Sequence, residues 1–389
     1  MGQKRLHQLD MLRGLLMFLG VAIHAALAYT TEKTWLINDS DHHLFFDYFV
    51  FWVNVFRMPA FYFLSGFLFS LVALQKSSMA MLGTRIVRVG VPLVFAGLLF
   101  NIPQLLISDW LSPQYGEVKR IASTCHNIKG MYEGCWTLHL WFLVTLVYFF
   151  LAGILMIPLI NFAVRIGDIF GIVNGKYSWF FILLVFSTTG YFFQTLWWRG
   201  GKELFEYLPL LWTLSFFQYF PFFLAGLIYA RIFQRVEDWA VISFKRNFVL
   251  VLSWSALFYL YANGNMSRTE FFFHDMFTSM LYYIVSFQTI MLLVALFIRY
   301  VNFPSVWSSY VGDALYTVYL IHHILVFLFV FLLSFTELYP LVKFFVVFLL
   351  VSSISLAFHQ TVVLRFDFLK FMLNGRRRSS SDRKPPRYR

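Results

Sequence analysis

Charge is scarce in this chain. Only 13% of its 389 residues are Asp, Glu, Lys or Arg, against roughly 25% in an ordinary soluble domain. That excludes a soluble enzyme with an appended anchor. No glycine-rich loop is present to cradle a phosphate, and no His, Cys, Asp or Glu cluster has recognisable metal-ligand spacing; no metal is expected. No internal repeat is visible either, which counts against a transporter, since transporter folds commonly show repeated halves. No soluble basic domain exists to display the net charge of +12, so that charge does not argue for nucleic acid.

Hydrophobic residues, by contrast, make up 60% of the chain, aromatics 21%, and mean hydropathy is +0.69. The composition predicts an all-α polytopic membrane protein embedded in a lipid bilayer. Ten apolar stretches are long enough to cross ~30 Å of hydrocarbon: 11–30, 45–74, 86–108, 136–163, 177–198, 208–230, 247–262, 276–298, 311–334 and 338–363. The second and fourth exceed a span and are expected to tilt or protrude. The first lacks a small-residue cleavage site and carries an arginine, so it reads as a retained helix. With both termini cytoplasmic, 22 of the 31 lysines and arginines fall on the inner side, as the positive-inside rule requires. Residues 1–374 then form one transmembrane domain, and 375–389 a basic tail, expected to be disordered and to hug anionic headgroups.

Ionisable residues inside apolar helices usually mark a site, because hydrocarbon penalises a charge by ~3 kcal/mol even on the lenient insertion scale. Arg13 and His24 lie eleven residues apart in the first stretch. At 100° and 1.5 Å per residue they share one helical stripe, with His24 about 16 Å deeper, near mid-membrane. Arg57 sits in the second stretch two residues before Pro59, whose ring releases a backbone carbonyl that a guanidinium could take. Arg85 and Arg88 open the third at i and i+3, placed either to snorkel to lipid phosphate or to clamp a nucleotide-bearing ligand. His322 and His323 lie mid-way along the ninth; adjacent residues are 100° apart, so at most one points straight at a given cavity. His139 and Trp141 begin the fourth, as interfacial anchors or as the outer mouth of a site. His359 and Asp47 do not rise above background. Cys125 and Cys135 fall in the longest loop, which this topology places in an oxidising compartment, where they either bridge or stand as two unrelated thiols.

Taken together these residues resemble the acyltransferase-3 family of membrane enzymes. The resemblance rests on Arg13 with His24, on Phe56-Arg57-Met58-Pro59 running into Phe63-Leu64-Ser65-Gly66-Phe67, and on the 85–92 segment. It also rests on His139-Leu140-Trp141-Phe142-Leu143, Phe222-Phe223-Leu224-Ala225-Gly226 and Tyr319-Leu320-Ile321-His322-His323. Within the family the chain is most similar to a branch taken to succinylate periplasmic glucans, through Arg88-Val89-Gly90-Val91-Pro92, Ile102-Pro103-Gln104-Leu105, the paired histidines and Phe368-Leu369-Lys370-Phe371. The two cysteines and Ile324 depart from that branch. The resemblance implies a bacterial inner membrane, an acyl-CoA donor inside (succinyl-CoA or acetyl-CoA), no permanently bound cofactor, and a carbohydrate acceptor in the periplasm.

On this reading Arg13, Arg85 and Arg88 bind the donor's phosphates. His24 acts as general base or carries the acyl group, Arg57 meets the oxyanion, and His322 orients His24 or shares its proton work. His139, Trp141 and Ser65 receive the acceptor. The alternatives are a transporter of an anionic solute, an O-acetyltransferase of another surface polysaccharide, and a non-catalytic partner of a glucan synthase.

Overall fold

A computed structural model of the protein describes residues 6–32, 35–73, 78–116, 118–119, 125, 128–169, 178–205, 207–242, 244–262, 271–301 and 306–375. Among these the only β pairing is a single antiparallel bridge, Ile37 with Val118; the rest of the regular structure is helical. The expected basic tail lies outside the described residues from 376 onward. Among the described residues fourteen α-helices follow in chain order: α1 His7–Leu27, α2 Leu44–Ala73, α3 Ser78–Ala96, α4 Ile102–Leu111, α5 Ile128–Glu133, α6 Trp141–Ile169 and α7 Ser178–Leu196. After them come α8 Lys202–Phe205, α9 Thr213–Ile242, α10 Phe244–Ala262, α11 Phe271–Tyr300, α12 Val306–Leu333, α13 Pro340–Phe358 and α14 Asp367–Asn374.

Nine helical stretches among the described residues are long and apolar enough to cross a membrane. The expected seventh span corresponds to α10, a helix of 19 residues that is not among the nine. Lys245, Arg246 and Asn247 open it, and Ser253 and Ser255 interrupt its apolar run. Helices dominate because hydrocarbon offers no partner to an unpaired N–H or C=O. Prolines inside α2, α3, α6 and α9 break that rule locally.

The chain forms two compact units. Unit one comprises Met1–Leu19, Val50–Leu82 and Tyr148–Gly312, and its core is aromatic. Phe149 packs among Tyr62, Phe216, Phe220 and Phe223, and Phe69 stacks on Phe150 at 5.1 Å. Helices α2 and α9 cross at two glycines. A Cβ on Gly66 would strike the carbonyl of Phe223, and one on Gly226 the carbonyl of Phe63. Small residues at membrane helix crossings permit such backbone contact.

Pro59 in α2 has no N–H for the carbonyl of Val55, four residues back. The structure gives that oxygen to Ser286 of α11, whose hydroxyl donates to it at 2.6 Å, so the carbonyl expected for the Arg57 guanidinium is already capped. Ser286→Ala is expected to cost about 1–3 kcal/mol, the usual penalty for orphaning a buried acceptor. Thermal unfolding in detergent measures this, and a melting curve matching wild type would show that the carbonyl finds another donor.

Unit two comprises Gly20–Phe49, Gly83–Val147 and Asp313–Arg389. A buried ion pair holds the loop after α1: Lys343 Nζ donates to both carboxylate oxygens of Asp39, at 3.1 and 2.9 Å. The Asp39 N–H reaches Ala28 O at 2.8 Å, and the His43 N–H reaches Tyr29 O at 3.0 Å. Burial, reinforced by the Asp39 charge, pushes the Tyr29 phenol well above its ordinary pKa. A π-turn, Gly97–Asn101, joins α3 to α4. From it Asn101 Nδ2 donates to Trp136 O at 3.1 Å and Thr137 O at 2.7 Å, tying α4 to the segment before His139. Cys125 and Cys135 form a disulfide in the same region.

Candidate functional site

Four imidazoles meet inside unit two. The His24 ring centroid lies 4.9 Å from that of His323, 5.3 Å from His322 and 6.5 Å from His139. His139 and His323 stack at 4.5 Å with 12° between their planes, and His139 and His322 approach to 5.1 Å. His139, His322 and His323 are all buried. The Trp35 indole closes the group, 6.1 Å from His24 and 5.6 Å from His323.

Each ring is delivered by a different local device. Helix α1 ends at Leu27, so His24 occupies its last turn rather than the middle expected of a span over 11–30. His139 lies in the last turn of a 3₁₀ segment, Cys135–Leu140, at whose kink Leu138 takes φ 43°. A bulky residue with positive φ is a true outlier, and such strain concentrates where a side chain must be aimed. His322 and His323 both come from α12 and both reach His24. Their ring centroids lie 5.3 and 4.9 Å from that of His24.

Hydrogen bonds fix the proton on three of these rings. A carbonyl oxygen only accepts, so a ring nitrogen facing one must carry hydrogen. His139 Nε2 lies 3.0 Å from Tyr319 O, and Tyr319 returns its hydroxyl to His139 O at 2.7 Å. His322 Nδ1 lies 2.8 Å from Tyr319 O and 3.1 Å from Val318 O. In their neutral forms, His139 therefore keeps its lone pair on Nδ1 and His322 on Nε2. His323 Nδ1 is 2.9 Å from Gln104 Oε1, which leaves its Nε2 as the acceptor. Among the described residues no three His, Cys, Asp or Glu are arranged to hold a metal ion.

The structure thus brings together His24, His139 and His322, and adds His323, Trp35 and Gln104. Sequence reasoning gave Gln104 no role beyond its motif and did not single out Trp35, which lies in a loop outside every apolar run. Trp141 begins α6 two residues after His139; the indole against the rings is that of Trp35. Arg85 and Arg88 lie on α3 in this unit, Arg88 exposed and Arg85 half-buried. Gly375, at φ +59°, caps α14 directly over the Arg88 backbone, where a Cβ would collide. Arg57, Ser65 and Arg13 belong to unit one. Arg13 pairs with Asp10 at 3.6 Å, an i,i+3 contact between two half-buried residues.

Residues 6–360 match the family model described as "Acyltransferase domain", of the acyltransferase-3 type. Among curated proteins the chain is similar to "Glucans biosynthesis protein C" of Escherichia coli strain K12 / DH10B, 25% identical over 337 residues, 82% of each chain. The protein of that name from E. coli O6:K15:H31 is 24% identical over the same share. No solved structure matches the chain.

Proposed function

The chain belongs to the acyltransferase-3 family of membrane acyltransferases, and from that premise we propose that it moves an acyl group from cytoplasmic acyl-CoA to a carbohydrate hydroxyl outside the bacterial inner membrane, with both termini cytoplasmic. The name of its glucan-related relatives supports a glucan acceptor, and the resemblance to their branch supports succinyl as the group transferred. One observation carries the reading: four imidazoles converge in a single unit, two of them with their tautomers fixed by backbone carbonyls.

A sugar hydroxyl is too weak an acid to attack a thioester unaided. His24 takes its proton as the oxygen bonds to the thioester carbon, and His322 shares the proton work through its Nε2 lone pair. Collapse of the tetrahedral intermediate breaks the C–S bond, and the proton returns to the departing thiolate. His139, in the turn before α6, and Trp141, which heads it, are assigned to the acceptor. Arg85 and Arg88 are assigned to the donor phosphates, and Arg13, on the helix that carries His24, joins them.

Purified protein given radiolabelled succinyl-CoA and a glucose oligosaccharide tests this. Label in the sugar supports the transferase; label trapped by vesicles without covalent product would make it a transporter. Acetyl-CoA and succinyl-CoA in competition identify the donor. Arg85→Ala and Arg88→Ala are each expected to raise the donor KM ~10-fold, since a charge-assisted hydrogen bond is worth about 1.5–3 kcal/mol. An unchanged KM in both single variants and in the double variant would return these arginines to lipid.

A further inference from the structure

Gln104 is fully buried on α4, and its Oε1 accepts from His323 Nδ1 at 2.9 Å. The other half of the same amide, Nε2, has no hydrogen-bond partner among the described residues. A buried unsatisfied donor costs free energy and calls for an explanation. Its surroundings supply one. His139 Nε2–H is donated to Tyr319 O, His322 Nδ1–H to Tyr319 O and Val318 O, and His323 Nδ1–H to Gln104 itself. The remaining nitrogens of these three rings are acceptors, and His139 Nδ1 is likewise without a partner. These three rings have committed their N–H groups and keep only lone pairs to offer. Nucleophilic attack needs both: a lone pair for the hydroxyl proton, and an N–H for the carbonyl oxygen as it gains charge.

Building on the acyl-transfer reading above, we propose that the Gln104 side-chain amide donates to the thioester carbonyl oxygen and stabilises the oxyanion of the tetrahedral intermediate. As the sugar oxygen bonds to the carbonyl carbon, the C=O π pair moves onto oxygen and Nε2–H meets it. When the C–S bond breaks, that pair re-forms the carbonyl, giving the ester, and the thiolate leaves with the proton held by imidazole. The donor expected of Arg57 is thereby supplied within the histidines' own unit. The Asn101 clamp on Trp136 and Thr137 holds α4 in place, so the amide is preorganised rather than recruited.

The test compares Gln104→Met and Gln104→Glu with His24→Ala, using radiolabelled succinyl-CoA and the glucose oligosaccharide. Methionine keeps the volume and removes both hydrogen-bonding functions. Glutamate keeps an oxygen for His323 Nδ1 but has no N–H. Both variants are expected to lose 10²- to 10³-fold in kcat, the usual effect of removing one oxyanion donor, with donor KM within about 3-fold. Near-wild-type kcat in Gln104→Glu would reduce Gln104 to a positioner of His323 and overturn the proposal; so would a loss under tenfold in Gln104→Met. Melting curves accompany each assay, and failure of both variants to fold would assign the residue to packing and end the claim. An inactive His24→Ala beside active Gln104 variants sinks this inference alone. Wild-type protein that puts no label in the sugar sinks the acyl-transfer reading beneath it.

Discussion

Replacing His24 with glutamine is expected to abolish acyl transfer while leaving the protein folded. Glutamine approximates the imidazole in size and can still donate and accept hydrogen bonds, but it cannot take a proton at neutral pH. Losing a positioned general base typically costs 10²- to 10⁴-fold, and the His24 ring lies between 4.9 and 6.5 Å from the other three. Turnover of radiolabelled succinyl-CoA into oligosaccharide reads the loss, and a melting curve checks the fold. His24→Ala should be equally inactive. Wild-type turnover in folded His24→Gln protein would remove proton transfer by this ring from the mechanism.

The largest expected effect on stability comes from Lys343. Its ammonium is 1% exposed and its partner carboxylate on Asp39 fully buried. Lys343→Met leaves that carboxylate without its cation, and breaking a buried pair from one side costs about 3–5 kcal/mol. Asp39→Asn should cost a similar amount. Removing both charges together, as Asp39→Leu with Lys343→Met, should recover much of the loss, because apolar replacements of similar volume are often neutral. Thermal unfolding of the three variants in one detergent separates these outcomes. Single variants that melt like wild type would show that water reaches the pair. Asp39 lies four residues beyond Trp35, so the single variants should also lose activity as the loop that packs its indole on His24 and His323 loosens.

The apolar runs were legible in the sequence because hydrocarbon leaves a backbone no alternative to helix, and α10 is the one expected span that its polar opening and two serines keep from being apolar enough. That the histidines converge was partly legible, since isolated imidazoles in apolar helices announce themselves by their cost. Their partners were not. Gln104 and His323 are 219 residues apart, Asp39 and Lys343 304, and Ser286 and Val55 231. No local period encodes a contact at that separation. Glutamine and serine within an apolar run also resemble tolerated polar residues until a neighbouring helix supplies the other half of the bond. Trp35 was invisible for a different reason: a loop tryptophan has no pattern against which to stand out.

The crossing of α2 and α9 has a mechanical consequence. Most packed helices slide by fractions of an ångström because side-chain tips bend, and this permits gradual shear. At Gly66 and Gly226 there are no tips, and each backbone rests on the carbonyl of the other helix. That contact behaves as a fixed pin. Pro59 and Pro221 lie within two turns of it, one on each helix, and both mark points where a helix flexes. Flexing beside an immobile pin turns small angular changes into lever motion of the far ends, so any conformational change within this unit should appear as rotation about the crossing rather than as translation along it.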